Sequence, residues 1–151
     1  MYMLETVQLE KNTLLGSLAC SRNDSYLHRL LQQTFDSDFV RRQDVPVVFS
    51  ALSKSNGGGK IAFNFLLENW SMIYDSLKNS DSILKNVIKT SLSNANTANE
   101  LIKLDAFLKH EIGAKYIRWF NEEREKIADR VAWIKKNRDP IVEYLKSIEG
   151  A

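Results

Sequence analysis

KIAFNFLLENWSMIYDSL, residues 60–77, decides the fold class, because almost every side of a helix drawn through it is apolar. Ile61, Phe63, Phe65, Leu66, Leu67, Trp70, Ile73, Tyr74 and Leu77 leave no broad polar stripe for solvent. A helix that is hydrophobic all round belongs between other helices, and the flanking sequence supplies them. Ahead of it, Leu14, Leu15 and Leu18 line one helix, and Leu27, Leu30, Leu31 and Phe35 line a second that can open at Asn23 or Asp24. Asp44 reads as the N-cap of a third, with Pro46 in its first turn and Val45, Val48, Phe49 and Leu52 at i, i+3, i+4 and i+7. Behind it, Ile83, Leu84, Val87, Ile88 and Leu92 mark a fifth helix. Thr97 and Glu100 form a capping box that opens a sixth along Leu101, Leu104 and Leu108. A seventh runs after Gly113 through Ile117, Phe120, Ile127, Val131 and Ile134 to Asn137. Asp139-Pro140 then reads as N-cap and first residue of an eighth that carries Ile141, Tyr144, Leu145 and Ile148. Trp70, Trp119 and Trp133 all fall within apolar helical patterns and are expected in the core.

No useful length of the chain alternates with period two, so the fold class is all-α. Eight helices joined by short polar turns suggest stacked helical hairpins, a HEAT- or armadillo-like α-solenoid, with a compact irregular bundle as the other arrangement. No fixed-length repeat is visible. With 151 residues, 44% hydrophobic and 26% charged, one domain over 1–151 is the expectation. A net charge of +2 is too small to argue for nucleic acid or an anionic membrane, and the pairs Arg41-Arg42 and Lys135-Lys136 are short and separated. No run approaches the roughly eighteen apolar residues of a membrane span, and MYMLETVQLEK has neither the basic start nor the apolar core of a signal peptide. Cys20, the single cysteine, excludes an internal disulfide and reads as a small apolar residue at a helix end.

Three stretches invite a chemical reading, and each falls short. KHEIGAKY, residues 109–116, comes within one residue of H-E-x-x-H, but Ala114 stands where the second metal-binding histidine must be. His28 is the only other histidine, so His110 and Glu111 have no second strong ligand nearby in sequence. SNGGGKI, residues 55–61, resembles a phosphate loop. It has Lys54 where the first glycine belongs, Ile61 in place of Ser or Thr, and no preceding strand. It reads as a flexible inter-helix turn. Glu122, Glu123 and Glu125 lie among Arg124, Lys126 and Arg130 at spacings that give ordinary surface ion pairs. Residue chemistry alone therefore gives a helical domain with no catalytic and no metal-ligating residues.

The order of three further stretches is more specific. EKNTLLGSLACSRN, then FVRRQDVPVVFSAL, then AFNFLLENWSMI resembles the C-terminal helical domain of the zinc aminopeptidases of the aminopeptidase N, endoplasmic-reticulum aminopeptidase and puromycin-sensitive group. The matching positions are Ala19-Cys20, Arg41 to Asp44 and Asn69-Trp70, with Val131 to Trp133 and Ile141 to Leu145 in the closing segment. The chain departs from the pattern in its glycine-rich turn, in Phe63-Asn64-Phe65 and in a shortened loop at 109–114. The resemblance implies a fragment of a longer enzyme that removes N-terminal residues from peptides. This domain would close over the active site and wall the peptide chamber, with zinc held by an upstream catalytic domain and no cofactor here. Implied partners are that upstream domain and peptide substrates, with no nucleic acid and no membrane contact from this segment. The resemblance leaves the compartment open among membrane, lumenal and cytosolic branches. Basic residues in relatives have been linked to the far end of the peptide, which here points to Arg22, one position from the family's arginine, and to Lys54. Arg41 and Arg42 are weaker matches. A free-standing helical scaffold for protein binding is the alternative to a peptidase domain.

Overall fold

The computed structural model describes residues 2–110 and 112–149. Among them are eight α-helices and no strand: α1 Gln8–Leu18, α2 Asp24–Gln33, α3 Val45–Lys54, α4 Gly58–Glu68, α5 Trp70–Leu77, α6 Asp81–Leu92, α7 Ala98–Phe107 and α8 Ala114–Glu149. Two short 3₁₀ turns lie at Tyr2–Leu4 and Arg42–Asp44. The chain packs as two compact units that divide after Ala95.

The helix count matches the periodicity, but two boundaries move. The apolar stretch at 60–77 is broken at Asn69, whose backbone leaves the helix (φ −117°, ψ 23°) while its side-chain amide donates to the Phe65 carbonyl at 3.0 Å. The Asn69 N–H donates to the same Phe65 carbonyl at 3.0 Å, so backbone and side chain of one residue share the acceptor where α4 ends and α5 starts. At the other end, Asp139-Pro140 does not restart the chain, because α8 runs unbroken through Pro140. Proline removes the donor for the Lys136 carbonyl. Residues 138–148 are exposed, so water can take that carbonyl and no packing partner forces a break. Asp44 does take the N-cap position of α3, but its side chain does not cap the helix. It is buried at the start of α3, makes no capping bond, and accepts from Gln8 Nε2 at 3.1 Å. Asn23 does cap α2, accepting from the Tyr26 N–H at 3.3 Å.

In the first unit α3, α4 and α6 pack on one another, with α1 against α3, α2 against α4 and α5 against α6. This is the layering of stacked helical hairpins. Phe49, Leu52, Phe63, Leu66, Leu84 and Ile88 are buried at its centre. Phe35 meets Phe49 edge-on at 6.1 Å and stacks on Phe65 at 6.3 Å. The tryptophans are not in that centre: Trp70 and Trp119 are half-buried and Trp133 is 60% exposed. Each lies near the edge of its apolar stripe, where an indole can be partly wet.

The glycine turn is tight rather than loose. Gly57 has φ +86°, a conformation that favours glycine, and is the N-cap of α4. Gly58 and Gly59 are buried in the first turn of α4, where a Cβ on Gly58 would lie 2.7 Å from the Leu52 carbonyl oxygen. The Asn94 amide, which a Cβ on Gly59 would meet, donates to the Ser53 carbonyl and ties the end of α6 to α3.

In the second unit α7 packs on α8, with Phe107 and Phe120 in ring contact at 5.1 Å. The capping box at Thr97 and Glu100 forms in both directions. Glu123 does not lie on the solvated face expected for it. Its side chain is buried, with Lys126 Nζ 2.6 Å from its carboxylate. Asp105 accepts a two-pronged bond from Arg124, and the Nη2–Oδ2 arm measures 3.1 Å. That hydrogen bond, aided by the guanidinium charge, holds the Asp105 carboxyl below its ordinary 3.8. A depressed folded pKa gives stability that is present above the unfolded value and is lost as pH falls through the folded one. Both side chains are more than a third exposed, so solvent screens the pair and its contribution is small. Asp105→Asn is expected to unfold at slightly lower urea than wild type at pH 7. The gap should close as the pH drops below the ordinary carboxylate range, and a gap that persisted or widened in acid would assign the loss to packing instead.

Candidate functional site

Three helices of the first unit present the same kind of stripe to one groove of about 820 Å³. Thr13, Gly16, Ser17 and Cys20 come from α1 and its end, Val47, Ser50, Ala51 and Lys54 from α3, and Asn86, Lys89, Thr90 and Ser93 from α6. Each set falls at i, i+3, i+4 and i+7, the spacing that puts four residues on one helix face. On α3 and α6 that face lies away from the buried Val48, Phe49, Leu52, Leu84, Val87 and Ile88. On α1 it lies beside Leu15 and Ala19, both fully buried. At Gly16 the two helices come into contact: a Cβ there would meet the Ala51 Cβ at 3.9 Å, an ordinary van der Waals distance.

Most hydroxyls in the groove are committed to their own helices. Ser17 Oγ donates to the Thr13 carbonyl at 2.8 Å, Ser93 Oγ to the Thr90 carbonyl at 2.8 Å, and Thr90 Oγ1 to the Asn86 carbonyl at 2.6 Å. The charged donors are Lys54 and Lys89, both exposed, and among the described residues neither has a carboxylate at ion-pair distance. No Asp or Glu is among the residues lining the groove. A concavity whose lining carries two cations and no anion is suited to a carboxylate, which takes charge-assisted hydrogen bonds from ammonium groups.

The four cations singled out from the sequence do not converge. Lys54 lines this groove. Arg22, in the turn after α1, is exposed and lines neither it nor the apolar groove next to it. Arg41 is exposed at the start of the second 3₁₀ turn, near enough to Tyr2 for its charge to act on the phenol. Arg42 lines a smaller cavity of about 230 Å³ with Thr34, Ser37 and Ser76. Lys89 was not a candidate. Its signal in the sequence is the polar series Asn86, Lys89, Thr90, Ser93, set opposite the apolar series of α6. Cys20, expected as an apolar packing residue, is exposed on the groove wall.

The zinc-like stretch has no such setting. His28 lies in α2 and His110 follows α7, in different units, and Glu111 lies outside the described residues. Among the described residues no three His, Cys, Asp or Glu side chains gather as a metal site would require. No helix among the described residues is long and apolar enough to cross a membrane.

Comparison with known proteins matches residues 1–129 to the model of the ERAP1-like C-terminal domain. Aminopeptidase N of Haemonchus contortus is 31% identical over 148 residues, which is 97% of this chain and 15% of that protein. Aminopeptidase N of Canis lupus familiaris is 24% identical over 140 residues, 91% of this chain and 14% of that protein. Endoplasmic reticulum aminopeptidase 1 of Rattus norvegicus is 23% identical over 146 residues, 96% of this chain and 16% of that protein. The chain thus spans only 14–16% of the length of these curated relatives.

Proposed function

The chain belongs to the ERAP1-like C-terminal domain family, and from that premise we propose that it is the non-catalytic lid region of a zinc aminopeptidase. Removal of N-terminal residues falls to the polypeptide that precedes this region in the relatives. This chain closes over that site, walls the peptide chamber and holds the far end of the peptide. Closure of such a wall excludes water and commits the substrate. The observation that carries the reading is the groove between α1, α3 and α6, with Lys54 and Lys89 on its surface and no acid in its lining. A peptide's C-terminal carboxylate is the complementary group.

Cys20 makes the groove testable without altering either lysine. It is the chain's single cysteine and is exposed on the groove wall. A bulky maleimide on Cys20 in the full-length enzyme should slow turnover of long peptides by roughly tenfold, because misplacing the distal end disturbs alignment at the reacting end. Single-residue chromogenic substrates should be cleaved at the unmodified rate, and the loss on long peptides should be absent from a Cys20→Ser enzyme treated in the same way, with the labelled positions read by peptide mass spectrometry. Site-specific labelling followed by assays on both substrate classes checks this. Unchanged turnover of long peptides after complete labelling would remove the groove from the peptide's path.

A further inference from the structure

Asn56-Gly57 is the chain's single Asn-Gly pair, and it stands in the turn between α3 and α4. Asn56 is exposed, and among the described residues neither its side-chain amide nor the Gly57 N–H has a hydrogen-bond partner in the protein. Glycine has no Cβ to shield its nitrogen, and the space around Gly57 is open: a Cβ built there would meet nothing within 4 Å. The residues on either side are fixed. Ser55 donates through its N–H to the Ala51 carbonyl at 3.1 Å and through Oγ to the Leu52 carbonyl at 3.0 Å, while Gly58 and Gly59 are buried in the first turn of α4. The turn thus sets a free side-chain amide next to a free, unhindered main-chain nitrogen. Other asparagines followed by small residues are built differently. At Asn79-Ser80 the Ser80 N–H donates to the Leu77 carbonyl at 2.8 Å, and at Asn96-Thr97 the Thr97 N–H donates to Glu100 Oε2 at 3.0 Å. At Asn94-Ala95 both partners are engaged, the Asn94 amide with the Ser53 carbonyl and the Ala95 N–H with the Leu92 carbonyl at 3.3 Å.

We propose that Asn56 is a site of spontaneous deamidation in the folded protein, one that sets a negative charge beside Lys54. The Gly57 nitrogen bonds to the Asn56 Cγ, the Cγ–Nδ2 bond breaks, and Nδ2 leaves as ammonia with the proton of the Gly57 N–H. Water then opens the cyclic imide at one of its two carbonyls. The product is an aspartate or, with the main chain rerouted through Cβ and Cγ, an isoaspartate. Either one carries a carboxylate that the amide lacked. It lies two residues from Lys54, in a stretch whose charged groups, Lys54 and Lys60, are both cations. Lys54 lines the groove between α1, α3 and α6. A carboxylate beside it competes with the peptide's own carboxylate for the ammonium group, so ageing of the enzyme weakens the groove's hold on long peptides. That consequence rests on the reading of the groove given above, whereas the modification itself does not.

The test incubates the full-length enzyme at mildly alkaline pH, folded and in urea, and follows each asparagine of this region by peptide mass spectrometry. In the folded enzyme Asn56 is expected to convert first, on the same timescale as in urea, whereas Asn79 should convert more slowly folded than unfolded. An Asn56 still intact in the folded enzyme after it has converted in urea would overturn the proposal. Turnover is then compared for fully converted wild type, for Asn56→Gln aged in the same way, whose longer side chain does not readily close the ring, and for fresh Asn56→Asp. For long peptides with a free C-terminal carboxylate, kcat/KM should fall about twofold in the first and third, the scale of one exposed charge acting across water, and hold in the second. C-terminally amidated peptides should show no fall. Equal falls on free and amidated peptides, or no fall in Asn56→Asp, would break the link to Lys54. A wild-type enzyme indifferent to amidation would sink the groove reading and that link together, and the deamidation would then stand or fall on the mass spectra alone.

Discussion

Phe49→Ala is expected to lower the unfolding free energy by about 3–5 kcal/mol, the range for deleting a large buried aromatic. Phe49 is fully buried in α3, the helix packed against α1, α4 and α6, and its ring meets Phe35 edge-on at 6.1 Å. Removing it leaves a void lined by three helices that are themselves interlocked, so collapse around it is limited. A single domain has a margin of about 5–15 kcal/mol, so the loss takes a large share of it. Trp70→Ala should cost distinctly less, although tryptophan is the larger residue. Trp70 is half-buried at the start of α5, with Tyr74 as a ring neighbour at 6.0 Å. Urea denaturation of both variants separates the two cases. Equal losses, or a larger loss at Trp70, would move the centre of the unit from α3 to α5.

That contrast marks how far the sequence could be read. Apolar spacing located the helical segments but not all of their boundaries, because burial on one face is a local and periodic signal. It could not place the break at Asn69, since Phe65 and Ile73 continue the period across it while the backbone and side chain of Asn69 share one acceptor there. It overrated Asp139-Pro140 because capping preference is a local tendency, and α8 meets no neighbour there that would make a turn worthwhile. The glycines at 57–59 were legible as a turn, but not as the point where α4 approaches the Leu52 carbonyl and the Asn94 amide. At the groove, Lys54 was reached through resemblance to a family. Lys89 was not reached, because its meaning comes from α6 lying beside α3, a pairing between residues far apart in sequence. Arg22 matched the family's position to within one residue and still lies outside the groove.

Lys54→Ala and Lys89→Ala, each made in the full-length enzyme, are expected to reduce kcat/KM for long peptides by about tenfold or more. A hydrogen bond to a charged group contributes roughly 1.5–3 kcal/mol, and the lower end of that range already corresponds to a factor of ten. Under the proposed peptide path, single-residue chromogenic substrates stop short of the groove and should be turned over at the wild-type rate by both variants. Arg22→Ala is the internal control, because its side chain is exposed outside the groove. Amidating the peptide's C-terminus removes the same carboxylate that the lysines would hold. It should therefore reproduce most of the loss in the wild-type enzyme and add little in the double variant, the non-additivity expected when two changes delete one interaction. Raising the salt concentration should weaken the wild-type preference for a free carboxylate, since Lys54 and Lys89 are exposed and screened charges lose their advantage. Equal losses on short and long substrates would point to impaired closure rather than to peptide anchoring. An amidation effect that stayed at full size in the double variant would mean that the carboxylate is held elsewhere, and the cation at Arg42, in its own cavity beside Ser37 and Ser76, would be the next to substitute.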